Sequence, residues 1–267
     1  ELGKQFYNTA SAPAEGLTED GKELLSVIAA PDTAIGITIK PFQYEKLITG
    51  SLFVKGSSAV YVNEIDKDSL LTGMNLEKAL SDLLALFPVK GVLSESGGAF
   101  KISKEGVMGL IALADHARRE RMEALLAGNV VEQDIPNVKQ AMEQEFNRLS
   151  QSGDMRFALP FMAYAFSMDP PADSEKSMKE LNACGVLDEN GALTLEGKRL
   201  IFTLSYAEAM EALAAVYPGE EGFLSDRICF IRSDIQMWKI FQAKDGYVMS
   251  ACSSEELGKI TESLLKA

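Results

Sequence analysis

Apolar positions along this chain switch between helical and strand spacing, and the switches recur. In "GLTEDGKELLSVIAAPDTAIGITI", from Gly16, Leu24, Leu25 and Ile28 fall at helical spacing. Thr18 is placed to cap that helix, Glu19 and Asp20 suit its positive first turn, and Pro31 ends it. Ile35, Ile37 and Ile39 then alternate, which predicts a strand with one buried face. "KPFQYEKLITG" reads as a loop or short helix, and "SLFVKGSSAVYVNEI" as a hairpin turning around Lys55-Gly56-Ser57-Ser58. "NLEKALSDLLALF" carries Leu76, Leu80, Leu83, Leu84 and Phe87 on one helical face, closed by Pro88.

The opening pattern returns twice, in "KISKEGVMGLIALADHARRERM" from Lys101 and "ALTLEGKRLIFTLSYAEAMEAL" from Ala192. The first return predicts a short strand at Phe100–Ile102, a Ser103 cap and a helix over Val107–Leu126. A further helix follows over Asp134–Ser150, then the apolar "RFALPFMAYAF", which reads as buried. "SMDPPADSEK" is the linker candidate. A helix over Glu175–Ala183 leads to the second return, where Thr194 caps a long helix running to about Tyr217. "ICFIRSDIQMWKIFQAKDGYVMSACSS" supplies two or three strands with a turn at Lys244-Asp245-Gly246, and "SEELGKITESLLKA" closes the chain as a helix.

Two composite units emerge, each a capped helix, strand, hairpin and helix, over 16–87 and 192–266. Each leaves an apolar sheet face that it cannot bury alone, so two copies must share a sheet or pack back to back. The expectation is an α+β fold with a quasi-twofold internal repeat and a central antiparallel sheet flanked by helices. It takes residues 16–267 as one domain with halves 16–87 and 175–267. A helical insert over 88–168 covers one face, and 1–15 form a poorly ordered lead-in.

Composition narrows the function classes. The chain has 267 residues, 46% of them hydrophobic, enough for a substantial core. Its formal net charge of −13 repels phosphate backbones and anionic lipid, so nucleic acid and membrane are disfavoured as partners. No apolar run reaches the roughly 18 residues of a membrane span. Three cysteines, Cys184, Cys229 and Cys252, form no close pair and read as reduced thiols in a cytoplasmic protein. The single histidine, His116, sits among polar residues towards the end of a helix and reads as structural. No phosphate-cradling loop, nucleophile elbow or metal-ligand cluster is present in the sequence. No catalytic residue, cofactor or metal ligand is therefore named, and the expected class is non-enzymatic protein binding. Candidate contact residues are Phe42 and Tyr44, in a loop over Lys40–Ser51, and Trp238, the only tryptophan. Two other readings stay open. A winged-helix regulator would need a basic face around Lys198, Arg199 and Arg227; an enzyme would need a deep polar pocket.

"GLTEDGKELLSVIAAPDTAIGITIKPF…SLFVKGSSAVYVNEI…NLEKALSDLLALF" resembles the EspG family, cytosolic chaperones of mycobacterial type VII (ESX) secretion. The matching residues are Leu17, Leu24, Leu25, Ala29, Pro31, Asp32, Ile35, Ile37, Ile39, Phe53, Val54, Val60, Tyr61 and Val62. "ELNACGVLDENGALTLEGKRLI" and "DGYVMSACSSEELGKITESLL" are similar in type and order, although Glu196 stands where the family has proline. The resemblance implies an α+β domain with quasi-twofold halves. It also implies a chaperone holding an apolar, helical secretion substrate, without catalysis or cofactor.

Overall fold

A computed structural model describes residues 19–42, 47–65, 68–87, 99–129, 134–151, 154–168, 173–220, 222–233 and 236–267. Residues 64, 65, 68 and 69 are described by their backbone alone. In chain order the elements are α1 (Glu19–Ala29), β1 (Thr33–Pro41), β2 (Ile48–Lys55), β3 (Ser58–Ile65), β4 (Asp68–Asn75), α2 (Leu76–Leu86), β5 (Phe100–Ile102), α3 (Lys104–Leu126), α4 (Val138–Gln151), α5 (Ala158–Ala165), α6 (Ser174–Ala183), α7 (Leu195–Ser205), β6 (Ala207–Gly219), β7 (Gly222–Ser233), β8 (Met237–Ala243), β9 (Gly246–Ala251) and α8 (Ser254–Leu265). The nine strands form one antiparallel sheet in the order β4-β3-β2-β1-β6-β7-β8-β9-β5.

That order explains why the sequence repeats. α1–β1–β2–β3–β4–α2 and α7–β6–β7–β8–β9–α8 are the same helix, four-strand meander and helix, related by a quasi-twofold at the β1–β6 seam. There Ala34 lies opposite Val216, and the register runs on to Pro41 opposite Ala209. On one face α2 and α8 cover the seam. Ala79, Leu83, Leu257 and Leu264 pack with Ile35, Ile37 and Ile39 of β1, Leu213 and Ala215 of β6, and Phe230 of β7. On the other face α1 sets Val27 against Ala34, Phe53 and Val60. The corresponding surface of β6–β9 is covered by α7 together with α3–α6.

The returning cap motif has a local cause. Ser103 and Thr194 accept the amide N–H of Gly106 and Gly197, three residues on, at 3.2 and 3.0 Å. At Gly197 a Cβ would collide with the Val186 carbonyl, so the "EG" pair lets α7 close onto the Leu187–Leu193 bridge. Thr18, the expected cap of α1, lies outside the described residues, as do residues 1–15 and residues 169–172 of the expected "SMDPPADSEK" linker. So do the Gly97-Gly98 turn and the segment before it.

The ends of the expected Lys40–Ser51 loop belong to β1 and β2, and two further elements differ from expectation. The helix expected to reach Tyr217 ends at Ser205, and "AEAMEALAAVYPG" is the central strand β6. Ala, Glu, Met and Leu favour helix, but strands pair on both sides of β6 and both of its faces are covered. Residues 209, 213 and 215 pack towards α2 and α8; 210 and 212 pack towards α3–α7. The second difference is β4, "DSLLTGMN", a fourth strand where the repeat unit was read as strand plus hairpin. His116 sits mid-way along α3, largely buried, with Nδ1 3.7 Å from a Glu145 oxygen.

α5 has no side-chain cap of its own at Phe157. Asp115, buried on α3, supplies one across space, accepting the N–H of Ala158 at 2.9 Å and of Leu159 at 2.7 Å. Burial pushes its pKa up to about 7 against the opposing pull of these two bonds. Asp115→Ala leaves both amides buried without an acceptor and is expected to destabilise the protein by about 2 kcal/mol. Asp115→Asn, which keeps one acceptor, should lose less. Urea unfolding of the two variants checks the order, and equal losses would rule out the capping role.

Candidate partner-binding surface

α3 changes character half-way along. Its first half, "GVMGLIALA", is apolar on all sides and buried among α4–α7 and the sheet. Its second half, "RRERMEALL", stays in contact with its surroundings as far as Arg121 and runs out beyond that packing from Met122. Gly128, at φ 69°, ends the helix in the left-handed region. The overhang is not purely polar. Met122, Leu125 and Leu126, at i, i+3 and i+4, are 48%, 65% and 88% exposed.

Three arginines fasten this overhang to its surroundings. Arg118 lies 4.3 Å over the ring of Phe42 and donates to the Ala207 carbonyl at 2.7 Å. Burial lowers its pKa from the ordinary value. Arg121 lies 3.6 Å over Tyr206 and donates to the Ser205 carbonyl at 3.0 Å. Arg119 lies 3.9 Å over Phe157 and pairs with Glu145 at 3.2 Å. Burial favours a neutral Glu145, but His116, Arg119 and Arg148 outweigh it and hold its pKa below the usual range. Each guanidinium is thus stacked and hydrogen-bonded, which fixes the helix end rigidly. The Phe42 N–H also donates to the Glu208 carbonyl at 2.9 Å, tying the end of β1 to β6. Phe42, Tyr206 and the apolar end of α3 therefore share one end of the molecule.

Of the residues expected from sequence, Phe42 joins this surface, half-buried beneath Arg118. Tyr44 lies outside the described residues. Trp238 is elsewhere, on β8 and only 8% exposed, packed in the core with α3–α7, so its ring presents no open contact face. The apolar end of α3 escaped notice because "RRERMEALL" reads as a solvated, ion-paired face. The apolar triplet inside it was the available signal.

The other candidate chemistry is engaged structurally. A cavity of about 80 Å³ is lined by Asp115, Arg119, Glu145, Arg148 and Asp154. Asp115 is committed to capping α5, Glu145 to its cations, and Asp154 to Arg156 at 2.8 Å. Of the basic residues a winged helix would use, Lys198 pairs with Asp134 at 3.1 Å and Arg199 with Glu196 at 3.0 Å. Arg227 donates to Ser167 at 3.0 Å. Among the described residues, no three His, Cys, Asp or Glu side chains cluster to hold a metal, and no helix is long and apolar enough to cross a membrane.

No known family's sequence profile matches the chain, and no curated protein matches it by sequence. Among solved structures it is similar to a chain in the Mycobacterium tuberculosis type VII secretion system chaperone EspG5 in complex with a PE25–PPE41 dimer. The TM-score is 0.43 and the identity 10%, over 99% of this chain and 81% of that one. Values this low do not assign the chain to that protein's family.

Proposed function

We propose that this chain is a non-enzymatic protein-binding protein, chaperone- or adaptor-like in the manner of EspG, working in the cytosol through the end of α3. Its partner is a protein presenting an apolar helical segment, such as a secretion substrate. The supporting observation is the exposed Met122–Leu125–Leu126 triplet on a helix end that stacked arginines hold rigid beside Phe42 and Tyr206. Apolar side chains grouped on a pre-organised surface gain about 25 cal/mol for each Å² that a partner covers, with little ordering to offset it. Methionine and arginine suit such a surface, the one adaptable in shape and the other able to stack.

The test is a Leu125→Asp/Leu126→Asp double variant used as bait in the native host. Both positions are exposed, so the unfolding midpoint should stay close to wild type. The stoichiometric partner that wild type recovers should bind at least tenfold more weakly. An unchanged partner profile, or no stoichiometric partner for wild type, would sink the proposal.

A further inference from the structure

The quasi-twofold exposes an inequality between the two ends of the sheet. β9 closes the second meander, and its outer edge is filled by β5, with Phe100, Lys101 and Ile102 opposite Met249, Val248 and Tyr247. β4 holds the equivalent place in the first meander, and among the described residues no strand pairs with its outer edge. That edge is eight residues long, contains neither Lys nor Pro, and carries Leu70 at 56% exposure. An open edge without those protective residues is a template for another strand.

The register says which amides are free to pair. Ala243 opposite Gly246 closes the β8–β9 hairpin across two positions, and Ile65 opposite Asp68 does the same for β3–β4. The closing pair of such a hairpin exchanges its hydrogen bonds inward, and the direction then alternates. Tyr247 and Met249 therefore point outward, where β5 meets them; Ser69, Leu71 and Gly73 are their counterparts on β4. Beside that edge, between the sheet and α2, lies a cavity of about 360 Å³ lined by Leu52, Tyr61, Met74, Leu83 and Leu86, with Asp82 also on its wall. Burial raises the Tyr61 pKa, so its hydroxyl is a neutral donor. Residues 70, 72 and 74 share the face of this cavity, while Leu71 packs with α1 on the other.

We propose that the β4 edge binds an extended apolar–basic–apolar segment of a partner protein by antiparallel strand addition. Its two apolar side chains lie towards α1, and its basic side chain lies along the cavity towards Asp82. β5, Phe-Lys-Ile, is this chain's own example of what such an edge accepts. Charge favours a basic segment, given −13 on the chain and Asp82 on the wall, whose carboxylate is held at 3.0 Å by the exposed Lys78 one turn earlier on α2, an exchangeable surface pair. Two copies of the chain joined edge to edge fit less well. Both carry that charge, and an eight-residue strand, about 27 Å long, hides a few hundred Å² per partner, short of the roughly 800 Å² of a stable interface. Strand addition draws affinity from main-chain bonds and selectivity from side-chain pockets, and this edge has both. The proposal does not depend on the end of α3 being a binding surface.

The probe is the synthetic heptapeptide GAFKISK, titrated into the full-length chain, where tethered β5 already fills the β9 edge. Saturable one-to-one binding is expected, with slowed amide exchange at Ser69, Leu71 and Gly73. N-methylation of the peptide's Phe and Ile, which keeps every side chain, should weaken binding at least tenfold, as should Ser69→Pro in the protein. A peptide with Glu in place of Lys should bind wild type at least tenfold more weakly and recover on Asp82→Lys. No saturable binding, equal binding of the N-methylated peptide, or a homodimer that Ser69→Pro dissociates would each overturn the proposal.

Discussion

Cutting the chain between Met168 and Asp173 is expected to yield two fragments that do not fold apart but regain structure when mixed. The seam explains why. A fragment ending at Met168 contains β1 with its inner edge bare from Ala34 to Pro41, because the residues opposite lie on β6. Ile35, Ile37 and Ile39 lose Leu213, Ala215, Phe230 and Leu264 from their core. β5 loses β9, and α3 loses α6 and α7. The second fragment is left with the matching edge and face, and Ala267, whose carbonyl accepts the Thr33 hydroxyl at 2.6 Å, loses that bond. A four-stranded meander bare on an edge and on a face has too little buried surface to offset chain entropy. Circular dichroism and amide dispersion of the separate and mixed fragments decide the matter. Cooperative unfolding of the first fragment alone would show two independent domains and end the single-domain reading.

Glu211→Gln is expected to stabilise the protein, by about 4 kcal/mol at pH 8 and hardly at all at pH 4. Glu211 is on β6, opposite Ile39 on β1 and Phe230 on β7, with Ala209 and Leu213 two residues to either side on the same apolar face. Burial pushes its pKa up to about 8. The folded state thus keeps this proton at pH values where the unfolded chain has lost it. Stability must fall as pH rises from about 4.5 to about 8, and this group adds no slope outside that window. Asp115, raised to about 7, contributes the same sign at lower pH and is common to both proteins. Urea titrations at pH 4, 6 and 8 measure the gap. A gap that is constant or that narrows with pH would show that Glu211 is not buried as described.

Much of this architecture was legible where a single local rule acted alone. α2 was visible because Leu76, Leu80, Leu83 and Leu84 keep helical spacing, with Asn75 accepting the Lys78 N–H as its cap. The β2–β3 hairpin was visible because Gly56 takes the positive φ its turn requires. β6 was not, because its residues prefer helix and become strand through pairing with β7 on one side and, on the other, with β1, more than a hundred residues earlier in the chain. β4 was missed because Leu70, Thr72, Gly73 and Asn75 are exposed on an edge and show no clean alternation. Of the candidate surface, Phe42 could be read from its loop. Leu125 and Leu126 were visible only as an apolar pair at helical spacing after Met122; that they are exposed is settled by where α3 outruns its packing.

The seam also governs how the chain finds its fold. Within each meander, paired strands are neighbours in sequence, so their registers close small loops. Ala34 meets Val216 only after a loop of about 180 residues has closed, which places the joining of the halves late in folding. Closure entropy grows with the logarithm of loop length, and each doubling adds only about 0.6 kcal/mol. The whole block from β5 to α6 can therefore reside inside that loop at almost no further entropic penalty. Loop closure therefore sets little limit on the size of the insert; what constrains it is that β5 must still pair with β9 and α3–α6 must still cover the face of β6–β9.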